Sequence, residues 1–111
     1  MKKTFSLSAL FLLSTNALAA YTGNVSGTVT WVKIYNSDNI YFGFSRMPTD
    51  HGCTDNFFAI NPSLDPELKQ RYYSMLLTAK STKSNVEVGY DKKSASCTNG
   101  RPMVESMALI Q

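Results

Sequence analysis

The chain has 111 residues, a formal net charge of +3, two cysteines and one histidine. With Lys2 and Lys3 set aside as part of a leader, nine basic residues face eight acidic ones, a net of +1, which is no footprint for a nucleic-acid backbone. One histidine and two widely spaced cysteines exclude a closed zinc site, and no run approaches the ~18 apolar residues of a membrane helix.

Lys2 and Lys3, the short apolar run around Ala9 to Leu13 and the Ala17-Leu18-Ala19 site read as a secretory signal peptide of bacterial type. It covers residues 1–19 and is cut near Ala19, which leaves residues 20–111 as a single domain. The product is secreted or periplasmic. In that oxidising compartment Cys53 and Cys97 read as one structural disulfide. Closing a loop of that length stabilises the fold by about 4 kcal/mol on the chain-entropy model.

Tyr21 to Tyr35, "YTGNVSGTVTWVKIY", predicts a long strand whose apolar phase changes midway. Val25 and Val29 share one phase, and Val32 and Ile34 share the other. Asn36-Ser37-Asp38-Asn39 is a turn cluster. After it Ile40, Phe42 and Phe44 alternate with Tyr41, Gly43 and Ser45, the pattern of a half-buried strand. The two runs form a hairpin. Met47 to Asn56 is a polar loop holding Cys53, and "FFAIN" is a short third strand ended by Pro62.

The period then changes. Asp65 is an N-cap and Pro66 suits the first helical position. Leu68, Tyr72, Met75, Leu76 and Ala79 make one apolar stripe of an amphipathic helix. Lys80 and Lys83 close it at the negative end of the dipole. "VEVGYD" alternates as a fourth strand, with Val86, Val88 and Tyr90 on one face. "KKSASCTNG" reads as a long polar connection holding Cys97, and "RPMVESMALIQ" as the last strand, with its inward face open between two phases.

The order is strand, strand, strand, helix, strand, strand. It predicts an all-β fold with one helix, a five-stranded OB barrel with one disulfide. In such a barrel the first strand bends to pair on both sides, and a bulge or glycine at the bend shifts its inward phase. The switch is expected near Trp31, with Gly27 upstream. The competing architecture is an open α+β sheet with the helix on one face.

No enzyme, cofactor or metal is expected. His51, in "DHGC", has no marked nucleophile or third group beside it and reads as a surface histidine. Glu87 and Glu105 read as outward strand positions. Binding is the better class. Residues 20–111 carry eleven aromatics, more than so small a core needs. Tyr35 and Tyr41 flank the first hairpin turn, and Tyr41 points outward if Phe42 points in. Exposed aromatics beside hydroxyl and amide donors suit a sugar or a peptide.

The chain resembles the B subunits of bacterial five-fold toxins, of the subtilase cytotoxin and pertussis-like type. The matching features are Tyr21-Thr22-Gly23 at the mature N-terminus, Ser26-Gly27 and Val29 in strand one, and the aromatic "IYFGFS". A cysteine loop, a helix before strand four and a second cysteine near strand five follow. The resemblance implies a homopentamer of OB barrels that binds a cell-surface glycan or glycoprotein, with Ser26 at the position of a serine that contacts a terminal sialic acid. The spacing between "YTG" and "SG" is shorter than in that family, and there is a single cysteine pair. Two other readings compete: a monomeric periplasmic OB protein that binds a cation, a peptide or an envelope partner, and an accessory protein of a secreted enzyme.

Overall fold

The computed structural model describes residues 21–36, 39–93 and 96–110. The expected signal peptide and cleavage site, and the centre of the first turn at Ser37 and Asp38, lie outside the described residues.

The long first strand forms and it bends. Strand β1 (Gly23–Gly27) and strand β2 (Val29–Asn36) are separated only by Thr28. β1 pairs antiparallel with β5 (Asn85–Tyr90), and β5 pairs with β8 (Ser106–Ile110). β2 instead pairs with β3 (Asn39–Phe44), and β3 with β4 (Phe58–Ala59). Thr28 carries the chain round the corner: Ser45 N–H donates to its carbonyl at 2.9 Å, and its own N–H donates to Ser45 Oγ at 2.9 Å.

The phase change has a local cause. Val29 pairs with Phe44, but the next pair is Trp31 with Gly43, so Thr30 is an extra residue, a β-bulge. Upstream, Val29 is buried. Downstream, Val32 and Ile34 share the face of their partners Phe42 and Ile40; Val32 packs against the core, while Ile34, near the turn, is half-exposed. Trp31, Lys33 and Tyr35 are thereby turned outward on the same face as Tyr41.

Among the described residues, mostly sheet, one helix and one disulfide are as the sequence predicts. The sheets, however, are three small open ones, β1-β5-β8, β2-β3-β4 and a two-stranded β6 (Cys97–Thr98) with β7 (Arg101–Pro102), not a clearly closed five-stranded barrel. Between β4 and the last segment there is one isolated parallel bridge, Ala59 with Met103, with Val104 N–H donating to Ala59 O at 2.9 Å. The reason lies in residues 97–105. Asn99 and Gly100 both have positive φ, 52° and 83°, and turn the chain back on itself. Pro102 has no N–H to offer a neighbouring strand. The polar connection before the last strand is thus partly a hairpin, and the last strand is broken into β7, the bridge and β8. Glu105 lies in that break, while Glu87 is exposed on β5.

Helix α1 (Pro66–Thr82) starts as its sequence predicts: Asp65 accepts a bond from Leu68 N–H at 2.9 Å. Lys83, with φ 56°, is the left-handed C-cap. Leu76 and Ala79 are buried, Tyr72 and Met75 half-buried, and Leu68 exposed, so the stripe docks by its centre and C-terminal part. It packs on β2 and β8. The core is Phe42, Phe44, Phe58, Leu76, Val86, Val88, Tyr90 and Val104, with Phe58 stacked among three other rings.

Tyr90 closes one end of that core, and its hydroxyl donates to Asp50 Oδ1 at 2.6 Å. Burial, and then the Asp50 carboxylate beside it, push the Tyr90 phenol up to about 12. The same hydrogen bond holds the Asp50 carboxyl below its usual range. Tyr90 is favoured neutral in the fold, so its contribution is complete below the ordinary tyrosine value of about 10 and is lost as pH rises through about 12. Asp50 contributes above the ordinary carboxylate range and loses that contribution in acid. Tyr90→Phe is expected to cost about 1 kcal/mol at neutral pH. It also removes a late tyrosinate step from the ultraviolet titration, and an unchanged late step would assign it elsewhere.

Candidate functional site

A two-faced sheet this small normally has one wet face. Here β3 is buried along both faces from Ile40 to Phe44. The inner face lies on the core. The outer face, at Tyr41 and Gly43, is covered by three side chains from elsewhere: Trp31, Phe57 and Arg101.

Trp31 and Phe57 meet with ring centroids 5.3 Å apart, and Phe57 meets Tyr41 edge-on at 5.7 Å. The Arg101 guanidinium stacks on Tyr41 at 4.5 Å from the ring centroid and lies 5.1 Å from that of Phe57. Its Nη1 donates to Tyr41 Oη at 3.4 Å and to Asn99 O at 3.1 Å. Its buried Nε lies 3.2 Å from Asp55 Oδ2, an ion pair without an aligned hydrogen bond. Tyr35 lies 6.3 Å from Tyr41, with Lys33 Nζ 5.6 Å from the Tyr35 ring centroid.

These side chains enclose a groove of about 570 Å³, within the ~300–1,000 Å³ of small-ligand sites. Asn36, Asn39 and Asn99 complete its lining, which includes two cations, Lys33 and Arg101. Asn39 Nδ2 donates to Asn36 Oδ1 at 2.9 Å, which fixes both amides at the mouth.

The far wall is stapled. Cys53 and Cys97 form the disulfide. Two residues past Cys53, Asp55 N–H donates to Gly100 O at 2.7 Å. The loop that carries Asp55 and Phe57 is therefore fastened to the hairpin that carries Asn99 and Arg101. His51 belongs to this fastening and is buried, at 5% exposure, not on the surface. Its Nδ1 accepts from Cys53 N–H at 2.9 Å, which puts the ring proton on Nε2, 3.4 Å from Asn56 Oδ1. Both ring nitrogens are served locally, which is what permits burial.

Of the residues singled out from sequence, Tyr35 and Tyr41 come together in this groove. Tyr35 is 65% exposed at its rim. Tyr41 points outward from β3, as expected, yet is only 6% exposed because Arg101 and Phe57 cover it. Ser26 lies in the other sheet, exposed on β1 opposite Glu87, and does not line the groove. Sequence reasoning missed Arg101, Asn99 and Phe57 as site residues. One signal was present: Asn99-Gly100 is a hairpin dipeptide, and it places Arg101 at the start of a returning strand.

Among the described residues no group of three or more His, Cys, Asp or Glu is placed to hold a metal, and no helix is long and apolar enough to cross a membrane. The disulfide fits an oxidising compartment. No protein-family model, no curated protein and no solved structure matches this chain.

Proposed function

We propose that the chain is a secreted or periplasmic, non-enzymatic binding module that takes a cell-surface glycan in the groove of Trp31, Tyr35, Tyr41 and Phe57. The observation that carries this reading is the aromatic lining itself, with amides and a guanidinium beside it. A pyranose ring offers C–H faces to aromatic rings and hydroxyls to Asn and Arg donors. Lys33 and Arg101 in the lining, the latter shared with Asp55, favour a sugar with an anionic substituent.

The toxin B subunit resemblance fits the same class, and an OB-type barrel remains the architecture we favour. The corner at Thr28 and the parallel bridge at Ala59 are the two places where such a barrel would join its sheets. The homopentamer it implies has a candidate surface. Leu109 and Ile110 are exposed on the edge strand β8, and a shallow groove lined by Leu68, Tyr72, Met75 and Met107 lies beside it.

The test is a titration of the oxidised protein with sialyllactose, sulfated lactose and lactose, with solution mass measured alongside. Sialyllactose or sulfated lactose is expected to bind more tightly than lactose. Trp31→Ala is expected to weaken that binding at least about tenfold, the factor carried by 1.4 kcal/mol. Loss in Ser26→Ala alone would move the site to the sheet of β1. Absence of binding to all three sugars would overturn the glycan reading, and a mass of one subunit would favour the monomeric periplasmic alternative.

A further inference from the structure

Gly43 sits in the middle of the most buried strand of the fold, where a side chain would ordinarily add packing. Its φ is not positive, so backbone freedom is not the reason for a glycine. Room is the reason. The bulge sets Thr30 and Trp31 together across from this one residue. A Cβ at Gly43 would fall on Trp31 Nε1 and lie 2.6 Å from both Trp31 Cδ1 and Thr30 Oγ1. The indole therefore occupies the space a side chain at 43 would take. From that seat it reaches Phe57, which in turn touches Tyr41 and Arg101.

We propose that Gly43 is the positioning residue of the groove: it seats Trp31 as the wall on which one sugar ring stacks by its C–H face. The stacking clause rests on the glycan reading. The seat does not. Any side chain at 43 lifts the indole off the sheet, breaks its contact with Phe57 and misplaces a wall that the disulfide does not tie down.

Trp31 is the only tryptophan of the chain, so its fluorescence reports on the seat directly. Gly89 supplies a matched control. It lies in β5, in the other sheet, and a Cβ there would lie 2.5 Å from Ser106 Oγ and 2.7 Å from Tyr21 Cε1. Crowding is comparable, and no groove residue is involved.

Gly43→Ala is expected to red-shift Trp31 emission and to increase its quenching by acrylamide. Sialyllactose affinity is expected to fall at least about tenfold, or 1.4 kcal/mol. Gly89→Ala is expected to lower the melting temperature while leaving emission, quenching and affinity as in the parent. Unchanged emission and quenching in Gly43→Ala, or the same change in both variants, overturns the proposal. If Gly43→Ala does not fold, the pair Trp31→Phe with Gly43→Ala is read by melting temperature. A smaller ring is expected to rescue the fold, and failure of that rescue overturns the seat. A parent protein that binds no sugar, with emission shifted in Gly43→Ala alone, removes the glycan reading and leaves the seat standing.

Discussion

Opening the Cys53–Cys97 bond, by reduction or by Cys53→Ser with Cys97→Ser, is expected to cost about 4 kcal/mol. A domain of this size holds roughly 5–15 kcal/mol in all, so the loss is large. The bond closes a span of 44 residues, and the stabilisation comes mainly from restricting the unfolded chain. Its second effect is local. The Asp55 N–H bond to Gly100, the Asp55–Arg101 ion pair and the His51–Cys53 bond all lie around the cystine. Without it the two Asp55 contacts must hold this wall together, and the His51–Cys53 bond, which lies within one loop, does not help. Arg101 and Phe57 are then expected to leave Tyr41, and Trp31 emission is expected to shift. Denaturant melts of the oxidised and the serine forms, read by both far-ultraviolet signal and Trp31 fluorescence, measure the two effects. A loss below about 1 kcal/mol would show that the loops and not the bond hold this wall.

Phe58→Ala is expected to cost about 3–5 kcal/mol, and its neighbour Phe57→Ala far less. Phe58 is fully buried, with the rings of Phe42, Phe44 and Tyr90 at 5.4, 5.7 and 6.2 Å. Removing it leaves a cavity that a core this small refills poorly. Phe57 points the other way, into the half-exposed groove wall. Its loss removes ring contacts with Trp31 and Tyr41 but opens no enclosed void. On the proposed glycan reading, adjacent identical residues thus separate stability from recognition. Phe58→Ala is read by thermal melting, Phe57→Ala by sugar titration. Equal stability losses in the two variants would contradict this division.

The local features were legible from sequence because their signals are local. Asp65-Pro66 marks a helix start by side-chain and ring chemistry alone. The phase slip after Val29 marks a bulge because one inserted residue exchanges the two faces of a strand. Two cysteines and no third mark a bond. The covering of Tyr41 has no such signal. Arg101 lies sixty residues away along the chain, and no periodicity connects them. Alternation correctly turns Tyr41 away from Phe42, but facing away from the core is not the same as facing water. His51 misleads for a related reason: its burial depends on two partners within five residues, Cys53 N–H and Asn56, which composition does not reveal. The strands stop short of a clearly closed barrel because β4 and β7 have two residues each, a length that alternation in the sequence does not reveal.

The first strand is shared by two sheets, and this orders events in time. β1 finds its partner only when β5 exists, pairing Gly23 with Tyr90. β2, the other half of the same segment, needs only β3, across a short hairpin. A chain made from its N-terminus therefore completes the β2–β3 hairpin early and holds β1 as an unpaired edge until most of the sequence has followed. Such non-local pairing slows folding and leaves an aggregation-prone edge in the interval. Gly27 and Thr28 are then the joint between a part that forms quickly and a part that must wait.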